Sequence, residues 1–216
     1  MTEEGPADSP GGRRADSPAE RLPTGHPDEE PRPPRRVVHG PVAVEAVDRH
    51  GGADAAGPEA LDLNRWGLLA ASVAHSEGVR RPAELGLAFV GESEIAALAS
   101  VWLHSDHPTD VLAFPVEASA RRSLRRAPVG DPPLLIGDVV VCPQVAARQA
   151  DEAGHAPADE LALLIVHGVL HLLGHDHAGP VESLKMKRRT RTLLARFHRP
   201  GRERTAAPAA GSRRVG

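Results

Sequence analysis

The sequence predicts an α+β domain: a small mixed sheet packed with about five helices, with its chemistry at the end of a buried helix. Three observations predict it. Strand-like and helix-like apolar periodicities occur together but do not alternate strictly, which disfavours a doubly wound α/β arrangement. The two ends of the chain lack core-forming residues, leaving roughly 160 residues, one domain by the usual length prior. One long segment, from Leu161 to Leu173, is apolar nearly all round, as helices enclosed in a core are.

Residues 1–36 hold eight prolines and almost no large apolar side chain. Such a stretch cannot bury enough surface to offset its ordering entropy, so it reads as a disordered proline-rich tail. Residues 200–216 (PGRERTAAPAAGSRRVG) read the same way, as a disordered basic tail. The domain expected between them spans 37–199.

Within it, Val42–Val47 carries a weak strand signal. Leu63–His75 reads as an amphipathic helix, because Trp66, Leu69 and Val73 recur at helical spacing and Gly78 can close it. Leu85, Leu87 and Phe89 alternate as in a strand. Ser93 is a candidate cap for a helix carrying Ile95, Leu98, Val101 and Trp102. A short strand, Val111–Phe114, lies between two prolines, and an arginine-rich loop follows. Leu134–Val141 (LLIGDVVV) is a strong strand, and Pro143 and Pro157 each open a helix. Glu182–Phe197 forms the last helix, rich in basic residues.

No apolar run reaches the ~18 residues of a membrane span, and the acidic, proline-rich start does not resemble a secretory signal. The single cysteine, Cys142, provides no disulfide framework. These features lead us to expect a cytoplasmic protein with no membrane partner. The net charge of −3 hides an asymmetry: from Lys185 onward, eleven Lys/Arg face one acid, Glu203. A basic arm of this kind can seek phosphates, or it can simply be a solvated helix face and tail.

Into the apolar helix the sequence places His167 and His171. Four residues apart, they project from one face. A buried imidazole without a partner is costly, and a shared metal ion gives both a reason. Gly174 can end the helix in a left-handed conformation, and the reversed chain can return His177. Three imidazoles leave a fourth tetrahedral position open, as in catalytic zinc sites. Nickel, copper and iron also accept such ligands. His175 and Asp176 are the candidates for closing the site, of which a tight turn allows one at most.

The spacing His-x3-His-x5-His with this glycine is also that of the metzincin peptidases. Their general-base glutamate would stand at 168, where this chain has Gly168. Without that carboxylate a peptidase loses its proton acceptor.

The segment HGVLHLLGHDH, His167 to His177, resembles the zinc motif of the YbeY endoribonuclease family of rRNA maturation factors. HPTDVLAFP (His107–Pro115) is similar to that family's P-T-D/N-V-L-S-F-P segment, with Ala113 at the usual serine. IGDVVVCP (Ile136–Pro143) and ELGLAFVGESEIAAL (from Glu84) match further family segments, so the resemblance covers about Glu84 to Met186. It implies one zinc ion on His167, His171 and His177. It also implies single-strand-selective RNA cleavage, 16S rRNA 3′-end maturation and late ribosome quality control. The implied partners are rRNA, the small ribosomal subunit, and a ribosomal protein or ribosome-associated GTPase. One departure is clear: many members carry an arginine before the P-T-D segment, where this chain has Leu103.

A metal can polarise a phosphoryl oxygen and acidify water, which would dispense with a carboxylate at 168. Attack by the RNA 2′-OH would instead need a base. Asp176 is the nearest carboxylate in sequence. It can serve as that base or hold a ligand histidine by its ring N–H. Asp138 reads as a site residue or a buried acceptor, Asp110 as a brace for its turn, and Cys142 as a small core residue.

With three Phe, two Trp and no Tyr, aromatic platforms for bases are not expected. Phosphate contacts by Arg121, Arg122, Arg125, Arg126 and by Lys187, Arg188, Arg189 and Arg191 are the expected source of RNA affinity. The competing functions are a zinc hydrolase of another class, disfavoured by Gly168, and a non-catalytic ribosome-associated zinc protein, which Leu103 keeps open.

Overall fold

The computed structural model describes residues 33–50, 61–103, 109–116, 124, 130–175 and 179–198. Five strands, β1 (Arg35–His39), β2 (Val42–Arg49), β3 (Ala83–Val90), β4 (Val111–Pro115) and β5 (Leu134–Val141), form one sheet in the order β1-β2-β3-β5-β4. The centre is parallel, β2 with β3 and β3 with β5, and both edges are antiparallel. Parallel neighbours need a crossover, and α1 (Leu63–Ser76) supplies the one between β2 and β3. The other helices are α2 (Glu92–Leu103), α3 (Pro143–Ala153), α4 (Pro157–Leu172) and α5 (Pro180–Phe197). The described residues therefore form the expected mixed sheet with five helices. None of these helices is long and apolar enough to cross a membrane.

Alternation sorts the strands onto two faces. Leu85, Leu87 and Phe89 of β3 join Val42, Val44 and Ala46 of β2 in the main core beneath α1, α4 and α5. A smaller cluster on the other face gathers Val90, Ile95, Ala99, Leu112, Val140, Cys142 and Val145. Strand β5 contributes Ile136, Val139 and Val141 to the main core, although 136 and 139 have opposite parity. A bulge resolves this. Glu84 pairs with Leu135 and Leu85 with Gly137, so Ile136 is the extra residue. Gly137 takes φ +135, and a Cβ there would stand 2.2 Å from the Phe114 carbonyl oxygen. Only glycine meets both conditions.

Three elements of the fold depart from the sequence reading. Strand β1 begins at Arg35, inside the stretch read as tail. Helix α2 begins at Glu92, with the Ile95 N–H bonded to the Gly91 carbonyl. Ser93 therefore lies in the first turn and is not the cap. Val101 and Trp102 are 68% and 64% exposed, because α2 packs on the sheet through Ile95 and Ala99. Trp102 rests edge-on against Phe114 instead, with ring centroids 5.5 Å apart.

Candidate metal centre

Pro157 stands at the start of α4, with Asp159 and Glu160 in its first turn, where carboxylates suit the positive helix end. The helix then buries Leu161, Leu164, Ile165, Val166, Val169 and Leu170. It lies so close to the sheet that a Cβ on Gly168 would meet Val139 Cγ1 at 2.6 Å and Val111 Cγ2 at 3.4 Å. Gly168 thus faces β4 and β5. Its missing side chain has a packing reason as well as the chemical one inferred from the motif.

His167 and His171 are half-buried on an adjoining stripe of α4. Their Nε2 atoms are 3.1 Å apart and their rings nearly perpendicular, at 85°. Two nitrogen ligands of a tetrahedral zinc, each at 2.0–2.1 Å, lie about 3.3 Å apart. The spacing of the pair therefore matches that of two ligands on one ion. A neutral imidazole pair can also share one proton between these nitrogens, and either arrangement requires the two rings to converge.

Helix α4 ends as Gly174 predicts. Gly174 takes φ 77, its N–H bonds to the His171 carbonyl at 2.8 Å, and the His175 N–H bonds to the Leu170 carbonyl at 2.9 Å. This is a Schellman turn. His177 and Asp176 lie outside the described residues. Among the described residues no group of three His, Cys, Asp or Glu side chains is placed to hold a metal.

His175 faces a different partner. Its Nε2 lies 3.1 Å from Oε2 of Glu77, the residue that closes α1. Arg189 of α5 donates its Nε to Oε1 of the same carboxylate at 2.6 Å. The Glu77 side chain is only 7% exposed. Burial alone would raise its pKa, but hydrogen bonds from His175 and Arg189 outweigh it and leave the pKa low. The His175 Nε2 is thus engaged by Glu77. Arg189, expected to contact phosphate, gives its Nε to the same carboxylate, while 40% of its side chain stays exposed. Nothing in the sequence pointed to Glu77, which lies 98 positions from His175.

Lys185, Lys187, Arg188 and Arg191 are exposed along α5 and remain available to a polyanion. Arg121, Arg122, Arg125 and Arg126 lie outside the described residues. Leu103 is the last residue of α2. Asp110 braces its turn as expected: it accepts from the Val111 N–H at 2.8 Å and from Gln149 of α3 at 3.1 Å. Asp138 is not a buried acceptor. It is exposed on the sheet face opposite the main core, beside Gly86, where a Cβ would come within 2.0 Å of its Oδ1. Cys142 is fully buried, and burial pushes its thiol pKa up.

One further carboxylate escaped the sequence reading. Glu160 is buried two turns before His167, with its Oε2 3.0 Å from His155 Nε2. Burial raises its pKa, His155 opposes the rise, and Asp110 adds to it. Its sequence signal was a glutamate set just before the apolar run of the helix.

The model of the endoribonuclease YbeY family matches residues 61–198. A Kineococcus radiotolerans protein described as endoribonuclease YbeY is 42% identical over 164 residues, covering 74% of this chain and 91% of that one. A Salinispora tropica protein of the same description is 49% identical over 120 residues, 55% of this chain and 76% of that one. A solution structure from Thermotoga maritima is similar with a TM-score of 0.45 at 21% identity, over 71% of this chain and 91% of that one. The matched segment runs from the start of α1 to the end of α5 and includes the converging histidine pair, and on that match the chain belongs to the YbeY endoribonuclease family.

Proposed function

We propose that this chain is a zinc-dependent, single-strand-specific endoribonuclease. It acts in 16S rRNA 3′-end maturation and late ribosome quality control, in the cytoplasm. The observation that carries the reading is the convergence of the His167 and His171 Nε2 atoms at 3.1 Å, in a chain whose curated relatives are described as endoribonucleases. His167, His171 and His177 would hold one zinc ion. When bound, zinc supplies Lewis-acid polarisation of a phosphoryl oxygen and acidifies water.

The chain's own residues supply the rest. Helix α4 holds two imidazoles in place within a packed core, so little reorganisation is needed to load the site. Gly168 leaves no carboxylate beside them, which suits a phosphodiester better than a peptide. Asp176 would hold a ligand histidine or take a proton. The exposed cations Lys187, Arg188 and Arg191 would position the phosphate backbone, with no base readout required. The small ribosomal subunit, with a ribosomal protein or a ribosome-associated GTPase, would present the substrate.

Metal content of the purified protein, together with cleavage of a single-stranded rRNA fragment by wild type and His167→Ala, tests the proposal. Bound zinc and cleavage abolished in the variant are expected. Bound zinc without metal-dependent cleavage would favour a non-catalytic ribosome-associated zinc protein, the reading that Leu103 at the family's arginine position supports.

A further inference from the structure

We infer that Trp102 is a stacking platform for one unpaired base of the RNA substrate. This role rests on the RNA-cleaving reading above and concerns what holds the strand besides its phosphates. The composition pointed away from aromatic platforms, yet one exposed indole is enough for one base.

Trp102 lies in the last turn of α2. It continues the helical stripe of Ile95 and Ala99, both fully buried against the sheet. The stripe would bury Trp102 too if the sheet went further. The sheet ends at β4, so the indole meets only the edge strand, at Phe114, with ring centroids 5.5 Å apart and planes 63° apart. One tilted neighbour covers at most one face of the indole, and Trp102 stays 64% exposed. Phe114 is itself packed against the smaller core cluster, so the indole rests on a supported residue.

The chain belongs to a family of endoribonucleases, and an RNA strand offers phosphate, ribose and base. Phosphate is the wrong partner here. Trp102 sits at the C-terminal end of α2, where the helix carries partial negative charge, and the last turn holds no basic residue. A base presents a flat face that matches an indole. Such stacking accepts any base, so it adds hold without reading sequence. A base inside a duplex has both faces covered by its neighbours. The platform therefore serves unpaired strands.

Strand β4 connects the platform to the metal centre, since α2 packs on it from one side and α4 from the other. Val111, at its start, faces Gly168, the neighbour of His167. Phe114 follows three residues later, roughly 10 Å along the strand. The two point to opposite faces, and an RNA passing the edge of the sheet has access to both. Trp102 then grips a base a few nucleotides from the histidine pair.

Affinity of the full-length chain for a short single-stranded RNA, and for an abasic strand of the same length and charge, tests this role. Trp102→Ala should weaken binding to the base-bearing strand about fivefold or more and leave the abasic strand unchanged. Trp102→Phe should keep part of the difference. Trp102 belongs to neither core cluster, so both variants keep the fold. Trp66, the other tryptophan, is only 4% exposed. The base-bearing strand should therefore quench the fluorescence of wild type, and Trp102→Phe should lose that response.

Trp102→Ala binding the base-bearing strand as tightly as wild type, or losing affinity equally on both strands, would overturn the inference. A wild type that binds both strands equally would overturn it too, while leaving RNA binding through phosphates standing. A wild type that binds neither strand would overturn the RNA reading as well.

Discussion

Gly168 and Val139 approach so closely that no side chain can stand between them: a Cβ at 168 would lie 2.6 Å from Val139 Cγ1. The residue that distinguishes this chain from a peptidase with the same histidine spacing is thus also the residue that lets α4 lie on β5.

That close approach predicts the cost of filling it. Alanine gains about 1 kcal/mol over glycine in a helix interior, whereas overpacking a core costs about 1–3 kcal/mol. Gly168→Ala should therefore lower unfolding free energy by roughly 1 kcal/mol, and Val139→Ala in the same chain should recover part of it. Gly168→Glu should destabilise further and yield no peptidase activity. Denaturant titration measures the first effect, and a stabilised Gly168→Ala would contradict it.

Metal binding should be visible as stability. A ligand that binds only the folded state at a thousandfold excess over its Kd adds about 4 kcal/mol. Chelation should therefore lower the Tm of wild type, and re-addition of zinc should restore it. His171→Ala should show neither response. Equal chelator sensitivity in wild type and His171→Ala would rule out these imidazoles as ligands.

The exposed cations of α5 predict a steep salt dependence for single-stranded RNA. Removing one cation that meets a phosphate should reduce the log–log slope by about 0.7. Lys187→Ala with Arg188→Ala should therefore flatten the slope by about 1.4 while leaving the Glu77–Arg189 ion pair in place. Binding titrations over a range of salt give the slope directly, and one unchanged from wild type would place the RNA elsewhere.

Glu160 predicts a pH effect of definite sign. Its folded pKa is raised, chiefly by burial. Its contribution to stability is present below the unfolded glutamate value, near ~4.3, and disappears as pH rises through the folded value. Glu160→Gln should remove that pH dependence, giving a flatter stability profile from mild acid to neutrality. Parallel profiles for the two proteins would show that the carboxylate is not perturbed in this sense.

Much of this molecule was legible in one dimension. Alternation placed Leu85, Leu87 and Phe89 on one face of a strand. Helical spacing buried Trp66, Leu69 and Val73. Gly174 ended α4 in the left-handed turn that its position suggested. Each is a local consequence of backbone period or backbone freedom, so a short window contains the answer. The same reasoning failed at Trp102, because the spacing of apolar residues says nothing about how far the opposing sheet extends. It missed β1, whose five residues include two arginines and a histidine and show little burial.

By itself the sequence determined the α+β class, the buried helix and the pairing of His167 with His171 on one face, because these depend on residue type and spacing along one element. Only the tertiary structure decided that Gly168 packs directly on β5, that the His175 Nε2 meets Glu77, and that Arg189 gives its Nε to the same carboxylate. Those facts depend on which surfaces the chain brings together across long separations. A buried carboxylate takes whatever donors the fold delivers to it, and no local pattern specifies them.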